Sequence, residues 1–213
     1  VCVLVHVCVF VRLDDWFCLR VEKGSTRMGI NVFAKDFLRH ASLGHKVEFV
    51  DPQAYSGVLG CREGISVLNV EKIKESLFVT NEFFKSVVGE EKSSILFANL
   101  NESSKNVTQL CALRSVEPFI VEGWFSGAFT NVSSSKVDAV FVLSVKNSGF
   151  IVQEAHKVNV PVVGLVDNDS SSNMVSFPLL LNDNSAGLDH IVTSLISDAI
   201  LEIKLLNFGL SFN

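Results

Sequence analysis

Two apolar runs, 137–145 (VDAVFVLSV) and 161–166 (PVVGLV), constrain the fold of this chain more than any other feature. Neither alternates apolar with polar residues, so each reads as a strand covered on both faces. Between them, 149–158 is a short amphipathic helix with Ile151, Val152, Ala155 and Val158 apolar. Strand, helix and strand in that order form a βαβ unit, which implies a parallel sheet with helices packed on it.

The same reading extends along the chain. Residues 65–70 (ISVLNV), 94–98 (SILFA) and 118–121 are short strands. Residues 71–88, 102–114 and 186–206 are helices. The first of these buries Ile73, Leu77 and Phe84, and the last buries Ile191, Leu195, Ile196, Ala199 and Ile203. Residues 30–43 are helical, with Phe33, Phe37 and either Leu38 or Ala41 on one face and Gly44 as the stop. Residues 46–60, punctuated by Pro52, Gly57 and Gly60, are irregular. The expected class is α/β: a three-layer open parallel sheet, Rossmann-like or flavodoxin-like. It occupies 30–213 as one domain. Residues 1–29 are an N-terminal extension or an edge strand, because valine recurs at 1, 3, 5, 7, 9 and 11 and Gly24-Ser25 reads as a turn.

Charge sets limits on partners. The 213 residues carry 18 Lys and Arg against 23 Asp and Glu, for a net charge of −5, which disfavours a broad phosphate-binding surface. The basic residues gather early, however: Arg12, Arg20, Lys23, Arg27, Lys35, Arg39 and Lys46 outnumber the acidic residues between 12 and 46. A local basic patch on an acidic protein is therefore open. The 5 cysteines form no C-x-x-C pair, and no histidine cluster accompanies them, so they read as free thiols and not as zinc ligands. The apolar start is too short to cross a bilayer as a helix, so no membrane contact is expected. Phenylalanine is overused, at 17 residues against 1 tyrosine. A biased coding sequence, as in a small organellar genome, would produce that skew.

Motifs for catalysis are missing. There is no Rossmann fingerprint, P-loop or nucleophile elbow, and Trp124 and Phe125 would obstruct phosphate approach to the loop at 123–127. Asp167, Asp169 and Asp183 have the chemistry of a Mg²⁺ site, but Asp and Asn after a strand more often cap turns. His40, His45, His156 and His190 adjoin no nucleophile pattern. No catalytic residue, cofactor or metal is expected.

Four ordered segments carry a resemblance. ASLGHKV (41–47) is similar to a Gly-x-x-Phe-Gly-His stretch, with Gly44 and His45 matching. In GVLGCREGISVLNVEKI (57–73), Gly60, Arg62, Gly64 and Ile65 match, while Glu63 stands for Asn and Asn69 for Asp. In GWFSGAFTNV (123–132), Trp124, Gly127, Thr130 and Asn131 match. In 158–185, Pro161, Asp167, Pro178, Asn182 and Asp183 match. Together they resemble the universal S-two family of small-subunit ribosomal proteins, in its bacterial or organellar form.

That resemblance implies a structural constituent of the small ribosomal subunit that binds ribosomal RNA and neighbouring ribosomal proteins, supports assembly and translation, and has no catalytic activity. No homo-oligomer is expected. Lys35, Arg39, His45, Lys46 and Arg62 become candidate RNA contacts. Gly60, Gly64, Trp124, Gly127, Thr130, Asn131, Asp167, Pro178, Asn182 and Asp183 become structural loop residues. Departures matter too. Glu48 and Asp51 replace an arginine-rich stretch, Gly123 removes an arginine before the tryptophan, and Ser126 replaces a glycine. Bacterial members insert a long helical hairpin after the tryptophan loop; here 132–136 is all that separates Asn131 from the next strand. Divergence and composition together point to a mitochondrial ribosome, with another organellar or a bacterial ribosome as the alternative.

Overall fold

The apolar runs become the central strands of one sheet. In the computed structural model, which describes residues 7–11, 15–19, 40–89, 93–131, 137–170, 173–183 and 185–207, β6 (Ile95–Ala98), β7 (Phe119–Ile120), β8 (Ala139–Val142), β9 (Val162–Val166) and β10 (Phe177–Leu180) are parallel. Their spatial order is β10-β9-β8-β6-β7. Counted along the chain this is the flavodoxin-like order 2-1-3-4-5, which decides between the two expected variants of the architecture. Every residue of β6, β8 and β9 is buried, as the unbroken apolar runs require.

Alternate side chains feed two cores. Ile95, Phe97, Ala139, Phe141, Val163 and Leu165 pack under α1 (Val70–Val88), α2 (Lys105–Ser115) and α4 (Ala186–Asn207). Leu96, Ala98, Val140, Val142, Val162 and Val166 pack under α3 (Gly149–Lys157) and the partly buried Trp124 and Phe129. Among the described residues, one face thus carries three helices, and the other carries one helix and a loop. At the switch point beside β6, where dinucleotides and FMN sit in other proteins of this architecture, the fully buried Asn99 donates to Ser104 Oγ (3.1 Å) and Thr108 Oγ1 (2.9 Å).

Five expectations need correction. Gly44 does not stop a helix; it lies in β3 (Leu43–Lys46). The segment at 65–68 is a strand, β5 (Ile65–Leu68), but it lies outside the parallel sheet. It is the centre of a separate antiparallel sheet of order β3-β5-β4, with β4 (Val58–Arg62) beginning within the stretch 46–60 expected to be irregular. Strand β10 was not expected from the sequence pattern, and Val158 falls just beyond α3, exposed. Near the start, β1 (Val7–Val11) and β2 (Asp15–Leu19) pair antiparallel. The rest of the expected 30–43 helix before His40, with Lys35 and Arg39, lies outside the described residues, as does the expected turn at Gly24-Ser25. Among the described residues no helix is long and apolar enough to cross a membrane.

Candidate nucleic-acid interface

The β4–β5 hairpin closes through Glu63 and Gly64, whose φ values are 53° and 79°. Two positive φ values are what a two-residue type I′ turn requires. The resulting register pairs Arg62 with Ile65, and β3 pairs Lys46 with the same Ile65. Directly opposed residues share a face in an antiparallel sheet, so Lys46, Ile65 and Arg62 form one row. Their outer members are about 10 Å apart at Cα, two strand spacings. A second row is Leu43, Val67 and Gly60. Lys46, Arg62, Ile65 and Leu43 are all exposed, and a side chain at Gly60 would meet nothing within 4 Å.

The opposite face of this small sheet is its anchor. Ser66 and Leu68 are buried there. Asn168, in the loop after β9, donates to Ser66 Oγ and accepts from the His45 amide at 3.1 Å, while Ser66 Oγ donates to His45 O at 2.9 Å. A Cβ on Gly44 would stand 2.5 Å from Ser66 Oγ and 2.8 Å from Asn168 Nδ2. Close approach, not helix termination, is why glycine occupies position 44.

His45 turns away from the Lys46 row. Its Nδ1 lies 3.1 Å from Asp167 Oδ2 and 3.2 Å from Asn168 Oδ1, and its Nε2 lies 3.7 Å from Asp169. Asp167 is fully buried, and burial pushes its carboxyl up to about 6 against the opposing Asn168 amide and His45. Asp183 is also raised, first by burial and then by Asp169; its amide donates to Asp167 at 3.3 Å, and its carboxylate accepts from Ser144. Burial alone would raise Asp169 too, but its hydrogen bond from Lys146 (2.6 Å) carries it below the usual range. His45, Asp167 and Asp183 each offer one ligand atom within 4.8 Å of the others, a set compatible with a divalent cation. The cluster differs from the aspartate trio considered in the sequence, because Asp169 is engaged by Lys146 and His45 takes its place.

The tryptophan loop is organised by a residue absent from the sequence candidates. Glu154, on the apolar face of α3 and 9% exposed, accepts from Trp124 Nε1 (2.9 Å), Phe129 N (3.0 Å), and Thr130 N and Oγ1 (both 3.4 Å). Burial would raise its carboxyl; these donors outweigh that and lower it. Asn131 N donates to Gly127 O at 2.8 Å, closing the loop, and Trp124 and Phe129 pack with ring centroids 5.1 Å apart. Pro178, in β10, pairs with Gly164 of β9, and Asn182 and Asp183 follow β10. A signal for Glu154 was present: one acid lodged among Ile151, Val152 and Ala155. For Ser66, Asn168, Ser144 and Lys146 no sequence signal exists, since their roles arise from contacts as distant as the 123 positions between His45 and Asn168.

The ribosomal protein S2 model matches residues 39–137 and 133–203. The chain belongs to the ribosomal protein S2 family. The two matched segments meet at 133–137, where the helical hairpin was expected to be missing. Among similar proteins, small ribosomal subunit protein uS2 of Bifidobacterium adolescentis is 23% identical over 209 residues, covering 75% of this chain and 76% of the relative. That of Acinetobacter baylyi is 22% identical over 224 residues, covering 82% and 90%. That of Marinobacter nauticus is 21% identical over 211 residues, covering 76% and 84%. The family is structural, not enzymatic.

Proposed function

We propose that this S2 protein is a structural constituent of a mitochondrial small ribosomal subunit, attached by a small RNA-binding face and by contacts with neighbouring ribosomal proteins. The observation that carries the RNA face is the row in which Lys46 and Arg62 flank Ile65, all exposed. Arginine's planar fork suits phosphate, and a lysine on the next strand but one adds a second, less directional contact. Such contacts position a protein on RNA without reading bases. Lys35 and Arg39 extend the same reading. His45 serves it indirectly, by tying β3 to the loop after β9. Gly60, Gly64, the tryptophan loop, Asp167, Pro178, Asn182 and Asp183 hold the scaffold.

The mitochondrial assignment is supported by the phenylalanine skew and by the short 132–136 connection, which leaves no length for a helical hairpin. With fewer RNA contacts available, neighbouring proteins carry more of the attachment. Residues 1–29 are an N-terminal extension or an edge strand beside the domain at 30–213. Purified mitochondrial small subunits, sedimented and crosslinked before mass spectrometry, test membership and neighbourhood together. The protein should co-sediment with the particle and crosslink more to proteins than to RNA. Charge reversal at Arg62 together with Lys46 should reduce its incorporation several-fold. Abundant RNA crosslinks spread over the whole chain, or incorporation indifferent to the reversal, would count against this reading.

A further inference from the structure

Three residues after Lys46, on a turn bonded to the tip of the β4–β5 hairpin, is an aromatic side chain that the described residues leave largely uncovered. Phe49 is 63% exposed. It ends the 3₁₀ turn Val47–Phe49, and both sides of that turn are fixed. Val47 N donates to Gly64 O at 3.0 Å, holding the turn against the tip of the β4–β5 hairpin, and Asp51 N donates to Asn168 O at 2.8 Å. The ring is thus presented on a tethered backbone, so less conformational freedom is lost when something covers it.

We propose that Phe49 is a stacking platform for an unpaired RNA base, with Lys46 and Arg62 holding the phosphates beside it. This rests on the reading of the same face given above and adds the form of RNA it takes. The local charge selects that form. Among the described residues Lys46 and Arg62 are balanced by the exposed Glu48 and Glu63, so this row carries no broad positive field of the kind that holds duplex RNA by its backbone. Two phosphate contacts plus one stacked base suit a single-stranded or bulged segment, because every base offers a π-face and stacking does not depend on net charge. Two contacts on a single strand also predict a shallow salt dependence, a slope of about −1.4 in log affinity against log salt.

The test uses the full chain and a fluorescent oligoadenylate of about ten nucleotides, compared with an RNA duplex of similar length. Wild type should prefer the single strand. Phe49→Ala and Phe49→Leu should each weaken oligoadenylate binding by about tenfold, while Phe49→Trp retains it. The leucine variant keeps apolar bulk without a π-face, and thermal unfolding of each variant should match wild type because the side chain is mostly exposed. Wild type failing to bind oligoadenylate, preferring duplex, or losing nothing on Phe49→Leu would overturn the proposal. If Lys46→Glu/Arg62→Glu abolishes binding while Phe49→Leu does not, stacking falls and the RNA face stands. If the charge reversal leaves incorporation into the subunit unchanged, the RNA face itself falls. A Phe49→Ala protein that binds oligoadenylate normally but loses a crosslink to a neighbouring ribosomal protein would assign this ring to a protein contact instead.

Discussion

Glu63 sits at φ 53°, in a region that favours glycine and asparagine, because the two-residue turn beside Gly64 demands it. Nothing in the composition of that segment announces the strain; it becomes visible only once the turn is known to have two residues. Glu63→Asn should therefore raise stability by about 0.5–1 kcal/mol. A urea midpoint that stays put or falls would show that the turn is not strained. Glu154 is the opposite case, a side chain whose surroundings suit it closely. Four hydrogen bonds from Trp124, Phe129 and Thr130 converge on its carboxylate, and a glutamine there would aim an N–H at groups that are themselves donors. Glu154→Gln should cost about 2–3 kcal/mol in urea unfolding. It should also speed hydrogen exchange at the Phe129 amide more than at amides in β8. Equal acceleration everywhere would mean that the loop is not locally anchored by this residue.

At the scale of elements, legibility followed burial. β6, β8 and β9 are covered on both faces, so their residues form uninterrupted apolar runs and could be read directly. β4 has one half-buried and four exposed residues, so it leaves no pattern to read. β10 contains Pro178, which argues against a central strand, but it lies at the end of the sheet, where a missing N–H is tolerated. Gly44 is ambiguous for a related reason: a glycine after an apolar helical stretch looks the same whether it ends a helix or makes room for Ser66 and Asn168. Helix ends carry their own cost. α2 terminates at Val116, a β-branched residue at φ 55°, 75% exposed. Val116→Gly should stabilise the protein by about 0.5–1 kcal/mol, since the side chain makes little contact and glycine reaches the left-handed region freely. An unchanged or lowered urea midpoint would refute that estimate. The same helix end is held from outside by Lys204 of α4, which donates to Ser115 O and Val116 O, both at 3.1 Å, and meets the buried Glu117 at 2.6 Å.

For the whole molecule, buried acids set the response to pH. Asp189, 2% exposed in the first turn of α4, is pushed up to about 7 by burial, against a hydrogen bond to Ser104 and with a smaller contribution from Asp183. Asp167 shifts the same way, to about 6. In the unfolded chain both carboxyls ionise near 4. Between about pH 4 and 7 the folded state therefore holds more protons than the unfolded state, and stability attributable to these groups falls as pH rises through that window. Thermal unfolding should show Asp189→Asn raising the midpoint at pH 8 and changing it little at pH 4.5; an equal effect at both would contradict the raised carboxyl. The candidate interface has its own dependence on the whole. Arg62 is placed by a local hairpin that can form early, but Lys46 is placed by a strand fastened to Asn168, 123 positions beyond His45. Non-local contacts of that kind close late in folding. The Lys46 side of the row is thus coupled to the loop after β9, which the Arg62 side is not. If the proposed RNA site requires both cations, unfinished copies would bind it poorly, and recruitment into the particle would double as inspection of the fold.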